Sequence, residues 1–391
     1  MGSNRKNERG AVLLLVAVSL TVLLGIGGLA LDSARGYLVK ARLARAVDAA
    51  VLAGARSLRL GQDVARERAT NVALVNGAQM GISCSDITVS FGTNAEGEQT
   101  VQVTAQRTMP TTLMRVLDID FMNIRSMAVA AVPPVDLVLV LDQSGSLGTA
   151  NAFDDLQDAA KLFVDYFDDN IDQLGLVSFQ LRATERFALA GGFNTPIKNG
   201  IDLLTSFSYT NVGDGLGLAY DQITGPSVRQ RSAKVVVFFT DGRPTAFRGD
   251  VNGQERMLSI PQTGTGIAGY YNNPDQLPTN WSPGPDGCKN VNNCFGWTEP
   301  IARAHGRQLG LDQATQLRNA GVFVYSIGLG NPNFVDPLWQ PDMDYLAEIA
   351  NVDGVAAPGK PVGKSYFAPS ANELRSVFQQ VASDLLVRLA Q

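Results

Sequence analysis

The apolar residues change their period along the chain, and each change marks a different element. From Ala11 to Leu31, "AVLLLVAVSLTVLLGIGGLAL", 21 consecutive residues carry no charge. That is long enough for one helix through a bilayer core of roughly 30 Å, and a retained anchor is the reading preferred over a buried core helix or a signal peptide cleaved after "GLA" at 28–30. Val39, Leu43, Val47, Ala50 and Gly54 then recur at helical spacing, with Arg45, Asp48, Arg56 and Arg59 elsewhere round the helix. The helix is therefore expected to continue as an amphipathic stem. Residues 61–132 read as a small α+β segment. "VARERATNVALVNG" predicts a helix ending at Gly77, and "DITVSFG" and "EQTVQVTAQR" alternate as strands around the turn "TNAEGE". "TTLMRVLDI" predicts a short helix after Pro110, and "NIRSMAVAAV" a further strand. Pro133-Pro134 closes the segment, since proline extends neither a helix nor a central strand.

After the prolines, apolar strands alternate with helical stretches: "DLVLVLD", "NAFDDLQDAAKLFVDYF", "QLGLVSF", "VGDGLGLAYDQI", "AKVVVFFTDG", "RQLGLDQATQLRNAG", "VFVYSIGLG". Continuous apolar strands with intervening helices predict an α/β fold, a doubly wound and mostly parallel sheet. The C-terminal "NELRSVFQQVASDLLVRLAQ" predicts an amphipathic helix, expected as the last crossover of that sheet. Ligands of such sheets bind on the loops beyond the C-terminal strand ends. Here those loops are rich in oxygen. One gives Asp142, Ser144 and Ser146, another gives Thr240, Asp241 and Gly242, and "YTNVGDGLGLA" gives Thr210, Asn211 and Asp214 ahead of a helix. Carboxylates and hydroxyls without sulfur or imidazole suit a hard divalent cation, Mg²⁺ first, with Mn²⁺ or Ca²⁺ as alternatives. Loops are often rich in Ser and Asp simply because they are loops, and that is the bland reading.

The pattern Asp142-x-Ser144-x-Ser146, then Thr210, then Asp241 resembles the von Willebrand factor A domain and its metal-ion-dependent adhesion site over about residues 135–391. The resemblance implies that the serines, and in one state the threonine, bind metal directly and that the aspartates often act through water. It also implies an open coordination position that takes an acidic group from a partner. A second resemblance covers residues 9–56. "Arg9-Gly10-Ala11", "Ala30-Leu31-Asp32" and "Ala46-Val47-Asp48-Ala49-Ala50" resemble the N-terminus of TadG-like proteins of the Tad (Flp pilus) system. That family implies a short cytoplasmic N-terminus and a periplasmic or surface-exposed bulk. One departure stands out: were Gly10 a pilin-type cleavage residue, the fifth position would be Leu15 rather than glutamate, so no pilin-type processing is expected.

Between Gly242 and a helix near His305 lies an insertion, 243–305, in which Gly, Pro and Asn make up 22 of 63 residues. Such a composition predicts irregular structure. Because it begins beside Asp241 and holds Tyr270, Tyr271, Trp281 and Trp297, it is expected to contact a ligand or partner, as are Asn211 and Asp214; mobile decoration is the alternative. Cys288 and Cys294 lie in this insertion and could pair in an oxidising compartment or stay as two thiols. Cys84 is the odd one.

Charge and rare residues trim the alternatives. The chain has 391 residues and a formal charge of -5; residues 1–60 are +6 and the remainder -11. That argues against nucleic acid as the partner of the whole chain. A single histidine, His305, rules out a His-rich zinc site and leaves one candidate base for any triad. "GTGIAG" (264–269) follows no strand and opens no helix, so it is not read as a dinucleotide loop. An aspartyl-phosphate hydrolase would need a second acid two residues after Asp142, where Ser144 stands.

Pattern and the two resemblances together imply a cytoplasmic N-terminus (1–10), a transmembrane helix (11–31), a stem with a small α+β pilin-like or stalk segment (32–132), and a von Willebrand factor A-like domain (135–391). They imply a non-enzymatic, inner-membrane protein with its bulk in the periplasm. This protein would bind an acidic protein ligand through a divalent cation and work with pilus or Tad secretion components. The rivals are a scaffold with a dead metal site and, further off, the hydrolase.

Overall fold

The computed structural model describes residues 5–388 apart from 96–97, 208, 262–265, 272–290 and 331–339. The chain divides between Val132 and Pro133 into two compact units.

In the first unit one unbroken helix, α1 (Arg5–Ser57), runs for 53 residues. Its two halves meet different surroundings. Leu13, Leu14, Leu15, Leu23 and Ile26 are exposed, whereas Leu43, Ala46, Val47, Ala50 and Val51 are buried. The buried half packs on α2 (Gln62–Gly77) and on an antiparallel sheet of β1 (Ile87–Thr93), β2 (Gln99–Pro110) and β3 (Phe121–Val132), in the order β1-β2-β3. Ala65, Ala69 and Ala73 form the i, i+4 stripe by which α2 joins this core. On β2, Val101, Val103 and Ala105 alternate onto the same core. The short helix expected after Pro110 is a single tight turn, Met114–Leu117.

The second unit opens with β4 (Val135–Asp142), every residue of which is buried. There follow α3 (Gly145–Thr149), α4 (Phe153–Val164), β5 (Gln173–Phe179), β6 (Ala183–Ala190), α5 (Asn194–Asp202), α6 (Val212–Thr224) and β7 (Ala233–Thr240). Then come β8 (Ala246–Val251), β9 (Gln254–Ser259), β10 (Gly269–Tyr271), α7 (Glu299–Asn319), β11 (Phe323–Leu329), α8 (Met343–Ala350), β12 (Lys364–Ala368) and α9 (Leu374–Arg388). The main sheet has the order β12-β11-β7-β4-β5-β6. All its pairings are parallel except β5 with β6 at one edge. Val138 and Val140 face the α6, α7 and α8 side. On the other face, Phe239 of β7 meets Phe378 of α9 at 6.1 Å between ring centroids, and Phe378 meets Phe163 of α4 at 5.7 Å. Helices on both faces explain why β4 reads as an apolar run rather than an alternation.

Two expectations are corrected here. The C-terminal helix is not a crossover: α9 is the last element, and no strand follows it among the described residues. The start of the insertion is not irregular. β8, β9 and β10 form an antiparallel sheet of their own, turning between β8 and β9 at Asn252-Gly253, both with positive φ (56° and 76°). Asn-Gly supplies the two left-handed residues that a tight hairpin needs.

Candidate metal centre

β4 is a central strand flanked by β5 and β7, so its carboxyl end opens between their carboxyl ends. Asp142 is its last residue and is fully buried. Its Oδ1 accepts the Ser144 amide at 2.8 Å, and its Oδ2 accepts the Thr240 hydroxyl of β7 at 2.5 Å. The chain then turns into α3, which brings the Ser146 hydroxyl to 3.0 Å from that of Ser144. Both hydroxyls point at Oδ1 of Asp241, at 3.3 Å from Ser144 and 2.9 Å from Ser146. Thr210 enters from the loop before α6. Its hydroxyl lies 3.9 Å from where a Cβ on Gly242 would stand, next to Asp241. The five residues expected to make the site are thus brought to the carboxyl ends of β4 and β7.

Backbone ties hold the loops in place. The Gln143 amide donates to the Phe179 carbonyl at 2.9 Å, and the Phe207 amide to the Gln143 carbonyl at 2.7 Å. Ser206 donates its hydroxyl to the Ser144 carbonyl at 2.7 Å. The Asn211 amide donates to the Gln180 carbonyl at 2.7 Å. Thr245, just inside the insertion, accepts the Thr210 amide on its hydroxyl at 2.9 Å and returns its own amide to the Thr210 carbonyl at 2.9 Å.

The electrostatics are unusual for a buried site. Among the described residues neither Asp142 nor Asp241 forms an ion pair, although both are buried. Burial pushes the Asp142 carboxyl up to about 6, against hydrogen bonds from Thr240 and Ser144 that favour its ionised form. Burial and the nearby Asp142 charge push Asp241 up to about 8. At the amino end of the same strand Asp136, equally buried, is matched by a cation. Arg229 donates to it from Nη2 at 2.6 Å and Nε at 2.9 Å. One strand therefore carries two buried aspartates, one neutralised within the protein and one not.

A divalent cation fits what is left over. The donors are carboxylate and hydroxyl oxygens, the set preferred by hard ions. Among the described residues no three His, Cys, Asp or Glu side chains converge as a metal group. A cation here would therefore draw on the hydroxyls as well as the two carboxylates.

The expected partner contacts fare differently. Asn211 is buried: it caps α6, accepting the Asp214 amide at 3.1 Å and donating to the Leu181 carbonyl at 2.9 Å. Its role is to hold the Thr210 loop. Asp214 pairs with Arg248 at 2.8 Å and lines a cavity of about 500 Å³ with Gly213, Arg248, His305 and Gln313. Tyr271 is buried against Leu181, Ala246 and Met257. Tyr270 and Trp297 pack on the core of the insertion with Phe247, Leu258 and Ile260. The indole of Trp297 donates to the Asp250 carbonyl at 2.7 Å. Tyr271 is buried and Tyr270 and Trp297 are half-buried, so all three help build the insertion, because a small sheet needs a core of its own. Trp281 and Cys288 lie outside the described residues. Cys294 is in a disulfide and Cys84 is free. His305 is half-buried, its ring edge-on to Phe247 and Trp297 and its Nε2 3.2 Å from the Arg248 carbonyl. Ser206 was not expected in the site, and Thr240, named among the loop oxygens, was not expected to hold Asp142. Thr240 was visible beside Asp241, but nothing in the sequence ties Ser206 to Ser144.

Comparison with known proteins follows the same division of the chain. The von Willebrand factor type A domain model matches residues 136–264, and the putative Flp pilus-assembly TadE/G-like model matches residues 10–57. No curated protein sequence matches. Solved structures with a similar fold include proximal thread matrix protein 1 from the mussel byssus with a zinc-occupied MIDAS motif. That pair is 20% identical with a TM-score of 0.39, covering 65% of this chain and 46% of the byssus protein, so the chain spans about half of its length. Others are the type V pili tip protein Mfa5 of Porphyromonas gingivalis (17%, TM-score 0.44, covering 66% and 97%) and the PilB minor pilin of Streptococcus sanguinis (16%, TM-score 0.43, covering 78% and 78%). The chain thus joins a segment similar to the N-terminus of TadE/G-like proteins, residues 10–57, to a region that matches the von Willebrand factor type A domain, residues 136–264.

Proposed function

We propose that this protein is a membrane-anchored binding protein of a Tad-type pilus system, which captures an acidic group of a protein partner on a divalent cation. The observation that carries this reading is the buried pair Asp142 and Asp241, without a cationic partner among the described residues and ringed by Ser144, Ser146 and Thr210. A cation, Mg²⁺ first, would be held by the two serines and Thr210, with the aspartates supplying charge. Bound there, it would offer Lewis acidity toward a carboxylate. The chain's own residues fix the oxygens, exclude bulk water from beneath the site and hold Asp142 in place through Thr240.

The domain is read as a binding module rather than an enzyme. Ser144 stands where a phosphate-transfer site would need its second acid, and the one histidine packs edge-on against Phe247 and Trp297. Helix α1 has the length and apolarity to cross a membrane between 12 and 31. With the N-terminus cytoplasmic, the folded units lie in the periplasm, where the Cys294 disulfide is at home. The insertion, tied to Thr210 by Thr245, is placed to sense or cover what the site holds.

The test has two stages. Thermal unfolding of the full chain in detergent, with EDTA and then Mg²⁺, Mn²⁺ or Ca²⁺, reads the site. A ligand at a hundred times its Kd stabilises the native state by about 2.7 kcal/mol. Asp142→Ala should abolish that shift; no shift with any cation would favour a scaffold with a dead site. In cells, Asp142→Ala separates roles: loss of surface binding with normal pili marks adhesion, and loss of the pili marks assembly. If deletion of the gene changes neither, the Tad role is wrong.

A further inference from the structure

The first unit carries an apolar surface beyond that of the anchor helix itself. It lies on the segment joining β2 to β3, residues 111–120. Gly25, Gly28, Asp32 and Gly36 recur every three or four residues on α1 and so share one stripe. The segment is seated on that stripe. A Cβ on Gly28 would stand 2.7 Å from Cβ of Leu113, and one on Gly25 would stand 3.5 Å from Cδ1 of Leu117. Only a residue without a side chain allows Leu113 so close.

Asp32 fastens the segment. It is fully buried and accepts the amides of Thr112 at 2.9 Å, Leu113 at 3.0 Å and Met114 at 3.0 Å. Arg35 adds a hydrogen bond to the Thr112 hydroxyl. Most other amides are met within the segment: Thr111 to Asp120 at 2.9 Å, Val116 to Leu113 at 3.1 Å, Asp118 to Arg115 at 3.1 Å and Ile119 to Met114 at 3.2 Å. Internal satisfaction of this kind is what non-helical backbone needs beside lipid. Outward, the segment and the first residue of β3 show Val116, Leu117, Ile119 and Phe121, of which Val116 and Phe121 are 62% and 61% exposed.

Position identifies the occupant. Gly25 precedes Asp32 by seven residues, about 10 Å along the helix, so Leu117 lies level with the uncharged part of α1. We infer that residues 111–121 form an interfacial membrane element, seated at the boundary of headgroups and acyl chains. Its apolar side chains widen the band of the anchor there, while Arg115, Asp118 and Asp120 stay among headgroups. The acyl boundary then falls level with Gly25–Gly28, leaving about 17 residues of α1 to span, within the range for a transmembrane helix. A bilayer, rather than a partner protein, is the occupant because the surface is continuous with a helix face that itself requires lipid. The inference rests on the anchored reading above.

The test uses the full chain with Cys84→Ser, reconstituted in phosphatidylcholine and phosphatidylglycerol vesicles containing lipids spin-labelled high on the acyl chain. A polarity-sensitive maleimide is placed on Val116→Cys, on Val22→Cys in the anchor, or on Val75→Cys, 77% exposed on α2. Spin-labelled lipid should quench the labels at 116 and 22, and aqueous iodide the one at 75. Lipid quenching at 22 with iodide quenching at 116 overturns the interfacial element alone. Iodide quenching at 22 as well overturns the anchor with it. In the Val116→Cys protein, Gly28→Val should cut lipid quenching at least twofold, whereas Gly27→Val, with nothing within 4 Å of its Cβ position, should leave it unchanged. Equal quenching in both variants would overturn the proposed seat.

Discussion

The Ser146 hydroxyl stands 2.9 Å from Oδ1 of Asp241, a residue 95 positions further along the chain. Ser144 reaches the same oxygen. Two hydroxyls thus solvate a carboxylate that is cut off from water and has a second buried carboxylate for company. The site is stressed without a cation, and its behaviour in the cation's absence is as diagnostic as its behaviour in its presence.

Above pH 8, where Asp241 is ionised beside Asp142, Asp241→Asn removes one of two like charges. In EDTA this variant should unfold at a higher temperature than the parent, by about 2–4 °C for each kcal/mol relieved. Mg²⁺ should then add nothing. Calorimetry of both proteins, with and without Mg²⁺, reads both effects; a less stable Asn variant in EDTA would mean that the pair is not repulsive.

Stability in EDTA should fall as pH rises. Asp142 and Asp241 have folded-state values of about 6 and about 8, above an ordinary 3.8. A raised carboxyl value means that the native state holds its protons more tightly than the unfolded chain. The resulting stabilisation is complete below about 4 and is lost as pH climbs through 6 to 8. Saturating Mg²⁺ should weaken this slope, because the cation replaces the protons. Urea unfolding at pH 5.5 and 8.5 checks the sign.

Thr240→Val deletes the 2.5 Å hydrogen bond to Asp142. Hydrogen bonds to charged groups contribute about 1.5–3 kcal/mol. The loss should appear in chemical denaturation with Mg²⁺ present, and Mg²⁺ affinity by calorimetric titration should weaken because Asp142 is no longer held. Unchanged affinity would reduce Thr240 to a packing role.

Arg229→Met leaves Asp136 buried without its cation at the far end of β4, with the Ser232 hydroxyl and the amide of residue 229 still donating to it. Breaking such a pair costs about 3–5 kcal/mol. The lower end applies, since a third of the Arg229 side chain is exposed. Unlike changes at Asp142, this destabilisation should be the same in EDTA and in Mg²⁺.

Alkylation of the unreduced protein should label Cys84 and spare Cys294; after denaturation and reduction both should react. Peptide mass spectrometry reads the order, and labelling of Cys294 before reduction would place the domain in a reducing compartment.

The convergence of the candidate site's oxygens could be read in sequence because its signal is local. Asp142, Ser144 and Ser146 are two residues apart at the end of an apolar strand, and Asp241 ends another. The contact surface could not be read this way. Tyr271 and Asn211 looked available because aromatic and amide residues in Gly- and Pro-rich segments usually are. The small sheet β8-β9-β10 uses Tyr271 as core, and α6 uses Asn211 as its cap. The sheet itself had one legible mark, the Asn252-Gly253 turn, between strands that carry too many charges to stand out. Edge strand β6, "ATERFALA", was missed for the same reason: half-covered edges lack the apolar run that marked β4. The Asp32 seat depends on Thr112–Met114, eighty residues away, and no local pattern encodes such a tie.

Helix α1 runs without interruption from before the anchor to the core of the first unit, 53 residues or about 80 Å. Mechanically it is a single rod. A tug on the first folded unit reaches the bilayer through a continuous ladder of backbone hydrogen bonds, with no loop in between to stretch or pivot. If that rod is anchored as proposed, force applied to the first unit passes straight into the membrane segment, and any give must come from lipid or from the folded unit.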